Sequence, residues 1–160
     1  DGINALAPKL ETLAKAAAPL ILTPHPGELA RLLGISRDEV AQNRMLIAQK
    51  VATSFRVHLV LKGGRTLVVD PDGQVAINMT GNPGMATGGS GDVLAGFIAG
   101  LLAQPAVQAD VGLALRHAVW QHGAAADALQ ARRRNWTVED LVADIGNVAY
   151  ARFGPDLFFL

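Results

Sequence analysis

Two apolar runs, Leu20-Ile21-Leu22-Thr23 and Val57-His58-Leu59-Val60-Leu61, decide how this chain folds because of what lies between them. Each is short and dominated by branched aliphatic residues, the composition of a buried strand. Pro26 to Leu33 fits one or two helical turns stopped by Gly34. Ser36 with Glu39 forms a capping-box signature that opens a helix to about Phe55, with Val40, Ile47 and Val51 on one face. Two strands joined through helices in this way lie parallel in one sheet, with a right-handed crossover.

Working outward, Asn4 caps a predicted helix from about Ala5 to Ala18, on which Leu6, Leu10, Leu13 and Ala17 recur at helical spacing before Pro19 ends it. On the other side, Thr66 to Asp70 and Gln74 to Met79 flank the turn Pro71-Asp72-Gly73, which predicts an antiparallel hairpin. Apolar periodicity then predicts three helices, at about 92–104, 110–131 and 137–152, the last capped by Thr137 with Asp140. The order is that of an α/β fold with helices layered on a sheet. Four short strands make a thin sheet for a 160-residue chain that is 50% hydrophobic, and no strand precedes the opening helix. Further strands are therefore expected upstream of Asp1, which also opens the chain without an initiator methionine.

Fourteen basic residues balance fourteen acidic ones, so no summed field attracts nucleic acid or an anionic membrane. The longest nearly apolar run, Val93 to Ala103, is well short of the roughly twenty residues that span a bilayer and reads as a buried helix. The absence of cysteine excludes disulfides and thiolate metal sites. The default compartment is the cytoplasm.

Chemistry concentrates in three segments. The richest is Gly81-Asn82-Pro83-Gly84-Met85-Ala86-Thr87-Gly88-Gly89-Ser90-Gly91-Asp92, leading into the apolar helix. Glycines let backbone N–H groups converge, and a helix amino terminus adds donors and a positive dipole end, so the segment suits an anion. It matches neither the P-loop nor the Rossmann fingerprint. From composition alone, a flexible loop with Ser90 or Asp92 as an ordinary N-cap stands as an equal alternative. Asp92 is placed to take a proton from a hydroxyl while the loop neutralises a transferring phosphoryl group.

The second segment, Thr23-Pro24-His25-Pro26-Gly27-Glu28, follows the first strand at its carboxyl end, where ligands bind in open α/β sheets. His25 is a candidate substrate contact and Glu28 a candidate for holding a magnesium-bound water; the alternative is a proline turn with Glu28 in a helix first turn. The third, Lys62-Gly63-Gly64-Arg65-Thr66, offers two cations at a strand end for phosphate or nucleotide, against a plain basic hairpin loop. Arg132, Arg133 and Arg134 read as a solvated run complementing a helix dipole, and His58, His117 and His122 as structural.

Taken together and in order, the three segments resemble the NAD(P)H-hydrate dehydratase family of the ribokinase-like superfamily; Asp1-Gly2-Ile3-Asn4 resembles the family's Asp-Ala-Leu-Asn segment, so the likeness runs through the whole chain. The resemblance implies a ribokinase-like domain of which residues 1–160 are the carboxy-terminal part. It implies a carbon-oxygen lyase that repairs hydrated NADH and NADPH: a nucleotide phosphorylates the ring hydroxyl, and phosphate elimination restores the reduced cofactor. It further implies that His25 and Asp92 contact the hydrate, with Asp92 the base. Lys62, Gly63, Gly64, Arg65 and Thr66, with Gly88, Gly89, Ser90 and Gly91, would contact the nucleotide, and Glu28 would act on Mg2+ through water.

The co-substrate implied is ADP or ATP. Ten arginines against four lysines suggest a GC-rich bacterial genome, and the family's bacterial members favour ADP. His25 stands where related kinases carry Asn, which favours the dehydratase. Family domains are longer, so an isolated chain without activity is one expectation, and a homo-oligomer or a complementary amino-terminal fragment the expected partner. Two alternatives stay open: a ribokinase-like kinase of a small alcohol or vitamin precursor, and a non-catalytic nucleotide-binding module.

Overall fold

The computed structural model describes residues 3, 5 and 10–148, and the chain divides into two compact units, Asp1–Asn78 and Met79–Leu160. In the first unit, helix α1 (Leu10–Leu13) is followed by β1 (Ile21–Leu22), α2 (Pro26–Leu33), α3 (Arg37–Gln42), α4 (Arg44–Phe55), β2 (His58–Leu61), β3 (Leu67–Val69) and β4 (Val75–Ile77). The strands form one sheet in the order β1-β2-β3-β4. β1 and β2 are parallel, with Ile21 opposite His58, as expected for two strands joined through helices. β2, β3 and β4 are antiparallel, with Leu61 opposite Leu67 and Leu67 opposite Ile77.

Alternation along the strands sends Leu59, Leu61, Leu67 and Val69 into a core shared with Leu29, Leu32, Val40, Ala48 and Val51 of the helices. Val60 and Val68, on the opposite face, are also buried, so both faces of these strands are covered, as an α/β layer requires. Pairing runs slightly past the strand ends: His58 N–H donates to Leu20 O at 2.9 Å and Lys62 N–H to Pro24 O at 2.9 Å. Pro24 itself has no N–H to offer, which keeps β1 shorter than the apolar run suggested.

The helix expected over residues 36–55 is two helices. Ser36 Oγ accepts the Glu39 N–H at 3.1 Å, one half of the expected box, and α3 stops at Gln42. Asn43 leaves the helical region (φ −123°, ψ 31°), while its backbone N–H and its side-chain amide both donate to Glu39 O, at 3.2 and 3.4 Å. The opening helix, expected to reach Ala18, ends at Leu13, where i to i+3 bonds from Lys15 to Thr12 and from Ala16 to Leu13 tighten the last turn. The expected cap Asn4 lies outside the described residues.

The second unit contains a 3₁₀ turn (Pro83–Met85), α5 (Ser90–Leu102), α6 (Val111–Arg132) and α7 (Val138–Asp144). α6 buries small residues around much of its girth, Ala114, Ala118, Ala124, Ala125 and Ala126 among them. Ala125, Ala126 and Leu129 form a core with Leu141 of α7, against which Met85, Val93 and Trp136 pack. Asp110 caps α6 through Leu113 N–H at 2.8 Å, and Thr137 with Asp140 makes the reciprocal capping box of α7. α7 ends at Asp144, well before the expected 152, and residues 149–160 lie outside those described. The arginine run is less free than its composition suggests: Arg132 pairs with Asp144, and Arg133 with Asp140 at 3.0 Å, tying the end of α6 to α7.

Leu59 sits at the centre of the sheet with no exposed surface. Replacing it with Ala should destabilise the chain by about 2–5 kcal/mol, measured as a shift of the urea unfolding midpoint at unchanged slope. A shift below a few tenths of a kcal/mol would contradict the packing described.

Candidate active site

In the first unit, the segment after β1 is organised by His25. Its backbone is extended and its Nδ1 accepts the Gly27 N–H at 3.0 Å and the Glu28 N–H at 3.2 Å, while Glu28 Oε2 accepts the His25 N–H at 2.7 Å. The result is a reciprocal N-cap in which an imidazole does the work usually given to a hydroxyl or carboxylate. Because Nδ1 is an acceptor, the neutral ring carries its proton on Nε2, the atom 3.6 Å from Glu28 Oε2. Lys62 Nζ, at the end of β2, lies 3.8 Å from the same carboxylate oxygen. Imidazole, carboxylate and ammonium thus form one polar group at the carboxyl ends of two adjacent parallel strands.

Burial lowers the His25 pKa below the ordinary histidine value; the Glu28 carboxylate opposes this, and Lys62, Arg31 and Arg37 add to it. The ring is partly exposed, but its Nδ1 edge faces the cap, so the fold favours the neutral form. Glu28 Oε2 already faces a backbone donor and an ammonium, which suits it to orienting a water of a hydrated Mg2+ better than to direct ligation. No group of three or more His, Asp or Glu that could hold a metal ion occurs among the described residues.

The loop Lys62 to Thr66 is held from behind by Arg44 at the start of α4. Its guanidinium donates to Gly64 O at 3.0 Å, Arg65 O at 3.4 Å and Leu61 O at 3.5 Å. Turning these carbonyls toward Arg44 leaves Arg65 exposed, in a left-handed conformation at φ 61°. Thr66 Oγ1 donates to Gly63 O at 3.1 Å, closing the turn.

In the second unit, the glycine-rich segment enters a helix two residues earlier than expected. Gly89, at φ 92°, is the N-cap of α5; the Asp92 and Val93 N–H groups both donate to its carbonyl at 3.0 Å. Neither Ser90 nor Asp92 is the cap, which corrects the simpler reading of this segment. Gly89 has no side chain to cap with, and Asp92 stands exposed in the first turn. Side chains cap α2, α3, α6 and α7; α4, which follows α3 directly through Asn43, and α5 have no side-chain cap bond. At that amino terminus the Ser90 N–H reaches Thr87 O at 3.4 Å and the Asp92 N–H reaches Gly89 O at 3.0 Å, so the helix start offers an anion chiefly its positive dipole end, with no side-chain acceptor in the way.

Residue type and spacing single out neither Arg44, Gly123 nor Asp127, give Asn82 no role of its own within the glycine-rich motif, and mark His122 as structural. Thr80 Oγ1 donates to Trp120 O at 2.8 Å, and a Cβ at Gly123 would come within 2.7 Å of the Thr80 carbonyl carbon, so only glycine allows this approach. Asp127 accepts the Gly81 N–H at 2.9 Å and the Asn82 side-chain amide at 3.1 Å. The buried His122 places Nε2 3.1 Å from Ser90 O. An available signal was an aspartate inside the alanine-rich stretch Gly123 to Ala128, which demands a partner.

A parallel-to-antiparallel sheet followed by a glycine-rich loop at a helix amino terminus defines an α/β protein of the ribokinase-like class. An Enterococcus faecalis ribokinase-like superfamily protein superposes on 85% of the chain at 28% identity, with a TM-score of 0.67. The sequence profile of the NAD(P)H-hydrate dehydratase family matches residues 1–147, and the chain belongs to that family. It is 51% identical over 136 residues to a bifunctional NAD(P)H-hydrate repair enzyme of Moorella thermoacetica, covering 83% of this chain and 24% of that one. Against an ADP-dependent (S)-NAD(P)H-hydrate dehydratase of Neisseria meningitidis the identity is 45% over 132 residues, covering 81% and 44%. A Bacillus subtilis ADP/ATP-dependent NAD(P)H-hydrate dehydratase, co-crystallised with ATP/Mg2+, superposes on 81% of this chain and 47% of its own, with a TM-score of 0.76 and 36% identity. The matched segment thus spans less than half the length of each of these three relatives.

The cap on α2 makes a pH prediction. Since the folded-state pKa of His25 lies below the unfolded value of about 6.5, its cap is intact above that pH and is lost as pH falls through the folded pKa. Proton NMR of the His25 ring should give a midpoint below 6.5, with the Gly27 and Glu28 amides shifting at the same pH. Glu28→Gln should move that midpoint lower still, because it removes the carboxylate that opposes the shift. A wild-type midpoint at or above 6.5 would refute the arrangement.

Proposed function

We propose that this chain carries the nucleotide-dependent dehydration of hydrated NADH and NADPH, in the S form, back to the reduced cofactors, acting as the carboxy-terminal part of a longer ribokinase-like domain. The observation that carries the reading is the amino terminus of α5, left without a side-chain cap by Gly89, with the exposed Asp92 carboxylate in its first turn. Family membership supplies the reaction, and relatives described as ADP- or ADP/ATP-dependent supply the co-substrate class.

In this reading the loop Gly88, Gly89, Ser90 and Gly91 binds phosphate through backbone donors, and the segment Lys62, Gly63, Gly64, Arg65 and Thr66 binds the nucleotide, with the exposed Arg65 as its anion partner. His25 contacts the hydrate through Nε2, since Nδ1 is committed to the cap. Asp92 takes the proton of the ring hydroxyl as its oxygen bonds to the terminal phosphorus and the nucleotide leaves shorter by one phosphoryl group. Phosphate then departs with the carbon-oxygen bond while the neighbouring ring carbon loses a proton, restoring the double bond. Glu28 would orient a water of the Mg2+ that accompanies the nucleotide, and the metal would neutralise phosphate charge.

No helix of the described residues is long and apolar enough to cross a membrane, which is compatible with the cytoplasmic site proposed here. Association with a further copy or with a complementary fragment is supported by the exposure of Ile77 on the edge strand β4.

The test is recovery of reduced-nicotinamide absorbance from purified hydrate with ADP or ATP and Mg2+, using the chain joined to or mixed with an amino-terminal half taken from a relative. Asp92→Asn should lower turnover by about 10² to 10⁴ and leave nucleotide affinity nearly unchanged. A lasting phosphate ester of another alcohol, with no reduced cofactor restored, would assign the chain to the kinases. Arg65→Ala and Lys62→Ala should each weaken ADP or ATP binding by about 1–3 kcal/mol in calorimetry. Unchanged affinity in both would remove this loop from the nucleotide site.

A further inference from the structure

Helix α6 touches the glycine-rich segment at both ends. At the entry, Trp120, Gly123 and Asp127 recur at three and four residues along one stripe of the helix, the spacing that lines up side chains on a single face. Trp120 O receives the Thr80 hydroxyl, Gly123 lets the Thr80 backbone approach, and Asp127 takes the Gly81 N–H and the Asn82 side-chain amide. At the exit, His122 Nε2 meets Ser90 O at 3.1 Å. Both hinges of the loop are therefore referred to one rigid element, while Ala86, Thr87 and Gly88 between them stay exposed.

Asn82 relays the restraint inward. Its Nδ2 donates to Asp127 Oδ1, and its Oδ1 accepts the Gly84 N–H at 3.0 Å. Because a carboxylate only accepts, Asp127 dictates which way the Asn82 amide faces, and so whether an acceptor is turned toward Gly84. One carboxylate thereby fixes three successive features of the loop entrance. Each of its oxygens accepts a bond from the loop itself.

We infer that Asp127 is a positioning residue for the anion-binding loop, acting through Asn82, and that its charge sets the loop geometry before ligand arrives. The inference rests on the anion-loop reading given under the proposed function. Binding by converging backbone donors is strong only when they are preorganised, and a loop of glycines does not preorganise itself.

The hydrogen-bond pattern supplies its own test, because the two residues can exchange roles. In Asp127→Asn, the new amide has one acceptor for two donors; in Asn82→Asp, two carboxylates face each other. In the double variant Asp127→Asn/Asn82→Asp, the new Asn accepts from Gly81 and donates to the new Asp, which still accepts from Gly84, so all three bonds return. ATP affinity by calorimetry and amide hydrogen exchange over residues 84–91 are the readouts, with exchange in the α6 core over 114–119 as the internal reference.

Each single variant should weaken ATP binding by about ten- to a hundredfold, the effect of losing a hydrogen bond to a charged group, and speed exchange in the loop but not in the α6 reference. The double variant should recover both to within about threefold, allowing for imperfect geometry. Unaffected single variants, or a double variant no better than the singles, would overturn the inference. If a single variant does not fold, the double decides alone: native exchange and binding support the inference, and anything less overturns it. A wild-type chain that binds no ATP would defeat the nucleotide reading, whereas the exchange pattern would still decide whether Asp127 sets the loop.

Discussion

Unsatisfied backbone donors are the constraint on which this molecule turns. Every helix begins with N–H groups that the helix itself cannot use, and here most are taken by a nearby side chain: His25 for α2, Ser36 for α3, Asp110 for α6 and Thr137 for α7. α5 begins instead at Gly89, which has no side chain to offer and only its carbonyl for the Asp92 and Val93 N–H groups. The glycine-rich loop before it meets its donors piecemeal: the Gly81 N–H goes to Asp127, the Gly84 N–H to Asn82, and the Met85 and Ala86 N–H groups to carbonyls three residues back. A segment of this kind is either mobile or held from outside, and α6 holds it at both ends through Asp127 and His122.

The two polar centres use charge in opposite ways. Around His25, the ring is kept neutral because its Nδ1 lone pair is spent on backbone donors, with burial and the cations Lys62, Arg31 and Arg37 all opposing a second proton. That leaves Nε2–H as a directed donor rather than a charge. At α5, the exposed carboxylate of Asp92 sits by the positive end of a helix, where an anion is stabilised and where it must share the field with any bound phosphate.

Much of the architecture was legible because it is written in local periodicity. The parallel pair β1 and β2, the hairpin β3–β4, and the Thr137 cap follow from short-range patterns that physical chemistry reads in one way. The failures are equally local in origin. The helix expected across Asn43 breaks where that residue leaves the helical region (φ −123°, ψ 31°), a local turn that apolar periodicity does not register. The first turn of α5 was placed late because Asp92 is a better N-cap by type than Gly89, yet a positive φ at Gly89 decides where the helix starts.

By itself, the sequence determined the α/β order and the family, and marked three candidate segments, because these depend on residue type and on spacings short enough for one element to express. Only the tertiary structure decided what those segments are attached to. Nothing in residues 81–92 points to Asp127, 45 positions beyond Asn82, and nothing in Lys62 to Thr66 points to Arg44. Partners of that kind are chosen by which carbonyls and N–H groups the packed helices leave within 3 Å or so of a side chain, and that choice exists only once the chain has folded.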